Sequence, residues 1–174
     1  MSIKSKEVTE LISNWLLERL KVSGCKGFVV GVSGGVDSAV TSTLAALTDK
    51  PVLALNLPIN QEVGQKDRAN EQIVWLTKNY HNVSSIEVNL TNPFKSFLDS
   101  LEGDDVGELA EANSASRLRM MALYAYANSK NYLVVGTGNK VEDYGIGFFT
   151  KYGDGGVDVS PLADLLKSEV YKLS

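Results

Sequence analysis

The run Phe28-Val29-Val30-Gly31-Val32 is short, apolar and valine-rich, and it leads into glycines. Such a segment reads as a buried strand, and residues 37–47 after it read as a helix. The alternation continues along the chain. Val8, Leu11, Ile12, Trp15, Leu16 and Leu20 keep helical spacing ahead of the first strand. Residues 52–57, 85–90 and 132–135 read as further strands, and residues 65–79 as a second interior helix. Thr91-Asn92-Pro93 reads as a helix start, a capping side chain followed by proline in the first turn. Residues 109–128 form a long helix with apolar side chains nearly all round it, which predicts burial on several sides. A last helix begins over 165–173. Apolar strands alternating with helices predict a parallel twisted sheet flanked by helices on both faces, a Rossmann-like α/β fold. Ligands of such sheets bind beyond the carboxyl ends of the strands, near a switch in strand order.

The glycines say where on that edge to look. Of 15, five lie between Gly24 and Gly35 and seven between Gly136 and Gly156. Both clusters follow predicted strands, and glycine permits close backbone approach to a ligand. Seventeen basic and 21 acidic side chains give a net charge of −4, a poor balance for general nucleic-acid binding. A single cysteine, Cys25, excludes an internal disulfide, a CxxC pair and a cysteine zinc site. No signal peptide and no membrane-spanning run is present, so a soluble cytoplasmic protein is expected. At 174 residues, one domain is expected, with room for its own core.

Gly31-Val32-Ser33-Gly34-Gly35-Val36-Asp37-Ser38 joins the first strand to its helix. A helix N-terminus offers unpaired N–H groups and partial positive charge, which suit phosphate. Gly34 and Gly35 would let amides point at the anion, with Ser33 and Ser38 as hydroxyl donors. Neither a Walker A loop nor a dinucleotide fingerprint is present, and a plain strand–helix turn capped by Asp37 or Ser38 is the simpler alternative. Asp37 shifts the balance. A carboxylate beside a phosphate cradle repels it unless a cation, usually Mg²⁺, bridges the two. Ser33-Gly34-Gly35-Val36-Asp37-Ser38 after a hydrophobic strand resembles the pyrophosphate-binding loop of the N-type ATP pyrophosphatases, which cleave ATP to AMP and pyrophosphate while adenylating a substrate.

The second cluster is Gly136-Thr137-Gly138-Asn139-Lys140-Val141-Glu142, followed by Gly147-Phe148-Phe149-Thr150-Lys151-Tyr152-Gly153-Asp154-Gly155-Gly156-Val157-Asp158. Together with Ser116-Arg117-Leu118-Arg119-Met120 upstream, it resembles the signature of the NAD synthetases, which amidate deamido-NAD. The residues alone allow Lys151 as a point charge for phosphate or carboxylate and Asp158 as an acceptor for a ribose or an amine. Otherwise both sit on a solvated loop. Glu142 offers a second oxygen ligand, or a plain surface carboxylate. Arg117 shares a helical face with Asn113 while Arg119 points nearly the opposite way, so Arg117 is expected at the ligand and Arg119 at solvent or a partner subunit. Lys167, at the start of the last helix, opposes the macrodipole, which favours a role in anion binding.

The resemblance implies an adenine nucleotide alpha hydrolase-like fold and a set of roles. Gly31, Val32, Ser33, Gly34, Gly35, Val36, Asp37 and Ser38 would hold the ATP phosphates, and Thr137 and Lys167 would also contact ATP. Asp37 and Glu142 would hold Mg²⁺. Arg117, Lys151 and Asp158 would contact deamido-NAD, and Asp154 would lie near the ammonia. Asp37, Glu142, Lys151 and Asp154 form the implied catalytic set. A homodimer is implied, with no nucleic-acid or membrane partner. Between Glu142 and Phe148 the spacing is one residue longer than in other versions of the motif. Residues 1–174 are expected to be a single ATP pyrophosphatase-type domain without the family's C-terminal segment. The absence of a glutaminase portion favours free ammonia as nitrogen donor. The rival readings are a GMP synthetase-like amidoligase, disfavoured by Phe149-Thr150-Lys151-Tyr152-Gly153-Asp154-Gly155-Gly156, and a non-catalytic ATP-binding module. His81, Cys25, Met120 and Met121 are expected to have no chemical role, and no covalent nucleophile is needed.

Overall fold

A computed structural model describes residues 4–60, 63–101 and 106–174. Its elements run α1 (Ser5–Ser23), β1 (Gly27–Gly31), α2 (Val36–Ala46), β2 (Val52–Asn56), α3 (Val63–Asn79), β3 (Val83–Glu87), α4 (Thr91–Asp99), α5 (Glu108–Lys130), β4 (Tyr132–Val135) and α6 (Lys167–Leu173), with a π-turn over Val141–Gly145. The strands form one parallel sheet in the order β3-β2-β1-β4. The chain therefore steps outward from β1 through β2 to β3, then returns to place β4 on the other side of β1. That reversal leaves a crevice between the carboxyl ends of β1 and β4, the place where open α/β sheets bind ligands.

Alternation along each strand divides the core in two. Phe28 and Val30 of β1, with Val52 and Ala54 of β2, pack among Leu16, Leu20, Leu44, Leu76 and Val170 of α1, α2, α3 and α6. Val29, Leu53, Leu55 and Val134 point the other way, against Phe94 of α4 and Met120, Leu123 and Ala127 of α5. Both faces of the sheet are covered, which is why its central strands carry apolar side chains or glycine at every position but Asn56 at the end of β2. Among the described residues no helix is long and apolar enough to cross a membrane.

Four sequence expectations need correction. The third strand is Val83–Glu87 instead of 85–90, because its register with β2 starts at Val52 opposite Val83. It is an edge strand whose outer face is wet, so Ser84 and Ser85 belong inside it. The fourth helix is not capped by Thr91. Asn89 Oδ1 accepts from the Thr91 N–H at 2.9 Å, while Thr91 Oγ1 accepts from the Asn60 N–H at 3.2 Å. Helix α5 is not buried all round: Leu109 is 77% and Met121 64% exposed. Finally, α6 starts at Lys167 because the Glu169 carboxylate accepts from the Leu166 N–H at 2.9 Å and closes its first turn.

Candidate active site

The loop after β1 is shaped by its own serines. Gly34 takes φ of +81°, a left-handed conformation that glycine adopts without penalty. The Ser38 hydroxyl, buried, donates to the Gly35 carbonyl at 2.9 Å and accepts from the Ser33 N–H at 3.2 Å. Ser33 Oγ accepts from the Gly35 N–H at 3.3 Å. These hydroxyls fix the loop, where the sequence suggested phosphate donors. No side chain caps α2, so the amides of its first turn keep their donors for an anion.

Asp37, the second residue of α2, meets two residues far away in sequence. Lys167 Nζ, at the first residue of α6, donates to Asp37 Oδ2 and, at 3.1 Å, to Glu142 Oε1. Burial works against the Lys167 ammonium, but hydrogen bonds and charge attraction from Asp37 and Glu142 outweigh it and raise its pKa. The expected conflict between Lys167 and its helix dipole is offset by these two carboxylates. Glu142 stands in the π-turn, where the Ile146 N–H donates to the Val141 carbonyl at 3.0 Å. Asp37 and Glu142 thus present oxygens to one shared cation. Two carboxylates completed by phosphate and water oxygens are the donor set that Mg²⁺ takes, and among the described residues no larger cluster of metal-ligating side chains forms.

The charge density has a cost at Asp143, beside Glu142. Burial, then repulsion from Asp154, Glu142 and Asp37, raises its pKa. A carboxyl whose folded pKa lies above the unfolded value of about 3.9 destabilises the fold once it ionises. Replacing Asp143 with asparagine is therefore expected to raise the melting temperature at pH 7. The gain should shrink and vanish as pH falls below about 4, where both states protonate Asp143. Melting curves across that range check the sign.

The second glycine loop is fastened to one stripe of α5. Thr150 Oγ1 donates to Asn113 Oδ1 at 2.7 Å, and Ser116 Oγ donates to Asp154 Oδ1 at 2.6 Å. Arg117 Nε donates to the Lys151 carbonyl at 3.0 Å, and the Tyr124 hydroxyl lies 2.9 Å from Asp158 Oδ1. Positions 113, 116, 117 and 124 repeat at helical spacing, a polar clip that hydrophobic pattern alone does not reveal. Burial, then the hydrogen bond and charge of Asp158, raises the Tyr124 pKa.

The cleft itself lies between the ends of β1, β2 and β4 and α5. Gly31, Val32, Ser33, Thr137 and Asp154 are among the residues that line it. Its arginine is Arg119, contrary to the expectation that Arg119 faces solvent or a partner. Arg119 Nε donates to the Leu57 carbonyl at 2.9 Å, and burial lowers its pKa. The two arginines do point apart, but Arg117 reaches the carbonyl of Lys151 in the glycine loop while Arg119 turns into the cleft. Asp158 does not line this cleft: its second oxygen accepts from the Val134 N–H at 2.8 Å, so its carboxylate ties the loop to β4. Lys151 is exposed, its ammonium 5.1 Å from the centre of the Tyr152 ring. Sequence reasoning also missed Asn139, which is fully buried and donates to Asp37 Oδ1 at 3.1 Å.

Comparison with known proteins places this geometry. The NAD synthase family model matches residues 8–174. The chain is similar to the NH(3)-dependent NAD(+) synthetase of Carboxydothermus hydrogenoformans, 40% identical over all of this chain and 71% of that protein. It is 42% identical to that of Mycoplasma genitalium over 94% of this chain and 64% of the relative. A solved NMN synthetase from Francisella tularensis superposes with a TM-score of 0.90 at 38% identity, over 99% of this chain and 70% of that one.

Proposed function

The chain belongs to the NAD synthase family, and on that premise we propose that it is an ATP-dependent ligase that amidates deamido-NAD with ammonia, giving NAD, AMP and pyrophosphate. The observation that carries the reading is the meeting of Asp37, Glu142 and Lys167, brought from three separate elements. ATP would lie in the cleft against Arg119 and Thr137, its phosphates on the uncapped first turn of α2. Asp37 and Glu142 would hold Mg²⁺, which when bound neutralises phosphate charge and favours pyrophosphate as leaving group. The nicotinate carboxylate attacks the α-phosphorus, the bond to the pyrophosphate oxygen breaks, and the acyl-adenylate forms. Ammonia then adds to the acyl carbon and AMP leaves with its electron pair, with loss of one proton from nitrogen. Lys167 would supply a further cation for the departing phosphates, and the loop amides preorganised donors. Neither step needs a covalent bond to the protein.

Arg117 and Lys151 are assigned to deamido-NAD, on the exposed side of the clipped loop. Asp158, assigned to the same substrate, also ties the loop to Tyr124 and to β4. Asp154, bonded to Ser116 and to the Thr150 N–H, borders the cleft where ammonia would arrive. A homodimer is part of the same proposal, supported by exposed Tyr144, Ile146, Phe148 and Tyr152 beside the loop.

The test is AMP formation by the purified chain with Mg-ATP and ammonia, offering deamido-NAD and, because an NMN synthetase is a close structural likeness, its mononucleotide counterpart. AMP and amide should appear in equal amounts and only with both co-substrates present. AMP formation that ignores both acceptors would overturn the reading. Arg119→Ala is expected to weaken ATP binding about tenfold, the worth of one hydrogen-bonded charge, with little change toward deamido-NAD. Arg117→Ala should do the reverse, and calorimetry with each ligand separates them.

A further inference from the structure

We propose that Asn139 is a positioning residue that sets Asp37 and Glu142 as a single unit, an inference that rests on reading those two carboxylates as the Mg²⁺ ligands. Asn139 is 0% exposed, four residues beyond the end of β4. Its Oδ1 accepts from the backbone N–H of Val141 at 3.1 Å and of Glu142 at 3.2 Å. Backbone amides only donate, so the orientation of the side-chain amide is fixed by chemistry. Nδ2 is left facing Asp37, 102 residues earlier in the chain, and donates to its Oδ1 at 3.1 Å.

Two consequences follow from that one planar group. The π-turn that carries Glu142 is capped at its start, so Glu142 is held in register with Asp37. The two oxygens of Asp37 are also made different. Oδ1 is taken by the amide, and Oδ2 is the one turned to the shared cation position, where Lys167 Nζ bonds it. Lys167 touches both carboxylates too, but on a flexible four-carbon arm. Asn139 has two side-chain torsions, both enclosed by protein. No other side chain replaces it. Aspartate keeps the cap, loses the donor and sets a negative charge against Asp37, whereas serine keeps a cap on an arm too short to reach Asp37.

The experiment uses the full chain and an ATP analogue that cannot be cleaved between its α- and β-phosphates. Calorimetry at a series of Mg²⁺ concentrations gives the Mg²⁺ midpoint for analogue binding in the parent, Asn139→Asp, Asn139→Ser and Asp37→Asn, each first melted without ligand. Removing a partner that orients a metal ligand typically costs about 10–100-fold in metal affinity. The midpoint should therefore rise at least about tenfold in both Asn139 variants, with analogue affinity in the absence of Mg²⁺ unchanged. Asn139→Ser keeps a cap without adding a buried charge beside Asp37 and so tests positioning apart from folding. A midpoint that stays put or falls in either variant, while Asp37→Asn abolishes the Mg²⁺ response, overturns the role of Asn139 and leaves the metal reading standing. A lowered melting temperature with an unmoved midpoint marks a merely structural residue and overturns it equally. A normal Mg²⁺ response in Asp37→Asn overturns the metal reading and this inference together.

Discussion

Asp37→Asn is expected to weaken Mg-ATP binding at least about a hundredfold, close to 2.7 kcal/mol, while the chain stays folded. Asparagine matches aspartate in shape but lacks the charge that draws a divalent cation and balances the phosphate loop. The fold should survive because Lys167, about one-third exposed, keeps Glu142 as a partner. Loss of one partly exposed ion pair costs about 1 kcal/mol, a shift of roughly 2–4 °C for a chain of this size. Calorimetry with Mg-ATP beside melting curves separates the two effects. Unchanged affinity would show that Asp37 serves only to pair with Lys167.

Gly27→Ala is expected to destabilise the fold by about 3 kcal/mol, the upper part of what overpacking costs in a tight interior. Gly27 opens β1 with an ordinary extended backbone, so its requirement is for space and not for an unusual φ. An added Cβ would lie 2.3 Å from the Pro51 carbonyl oxygen and 2.9 Å from the Tyr132 ring. The carbonyl cannot retreat, because it accepts from the Phe28 N–H at 2.9 Å and so joins β1 to β2. A melting temperature lower by roughly 10 °C should result. Gly31, at the other end of the same strand, is the internal control. A Cβ there meets Leu123 at 3.6 Å, an ordinary contact, so Gly31→Ala should melt within a few degrees of the parent. Equal melting temperatures for the two variants would mean that the packing at the start of β1 yields.

Both predictions concern groups whose neighbours come from far along the chain, and that is where reading the sequence stopped. Periodicity located every strand, because an interior parallel strand is apolar at each position and is bounded by turn residues. Only β3 slipped, since an edge strand with a wet face carries serines that look like a turn. The glycine loops announced themselves through composition, Asp37 and Lys167 stood out as charges in places where charge is otherwise unfavourable, and Glu142 was marked only by the family resemblance. The polar clip on α5 was invisible. Asn113, Ser116 and Tyr124 satisfy a loop some 30 residues later, and helical periodicity reports burial without saying against what. Arg119 was turned the wrong way for the same reason: its angle relative to Arg117 was right, but which neighbour each face of α5 meets is a packing outcome.

Local pattern by itself determined the α/β class, the parallel sheet and the two loops at which ligands gather. Those features follow from backbone preferences and side-chain alternation within a few residues, which the order of amino acids states directly. Tertiary structure alone decided that Lys167 bridges Asp37 and Glu142, that Glu142 is carried on a π-turn, and that Asn139 bonds to both Asp37 and that turn. Hydrogen bonds and ion pairs act over about 3 Å, and residues 102 and 130 positions apart come that close only after the sheet has put β1 beside β4.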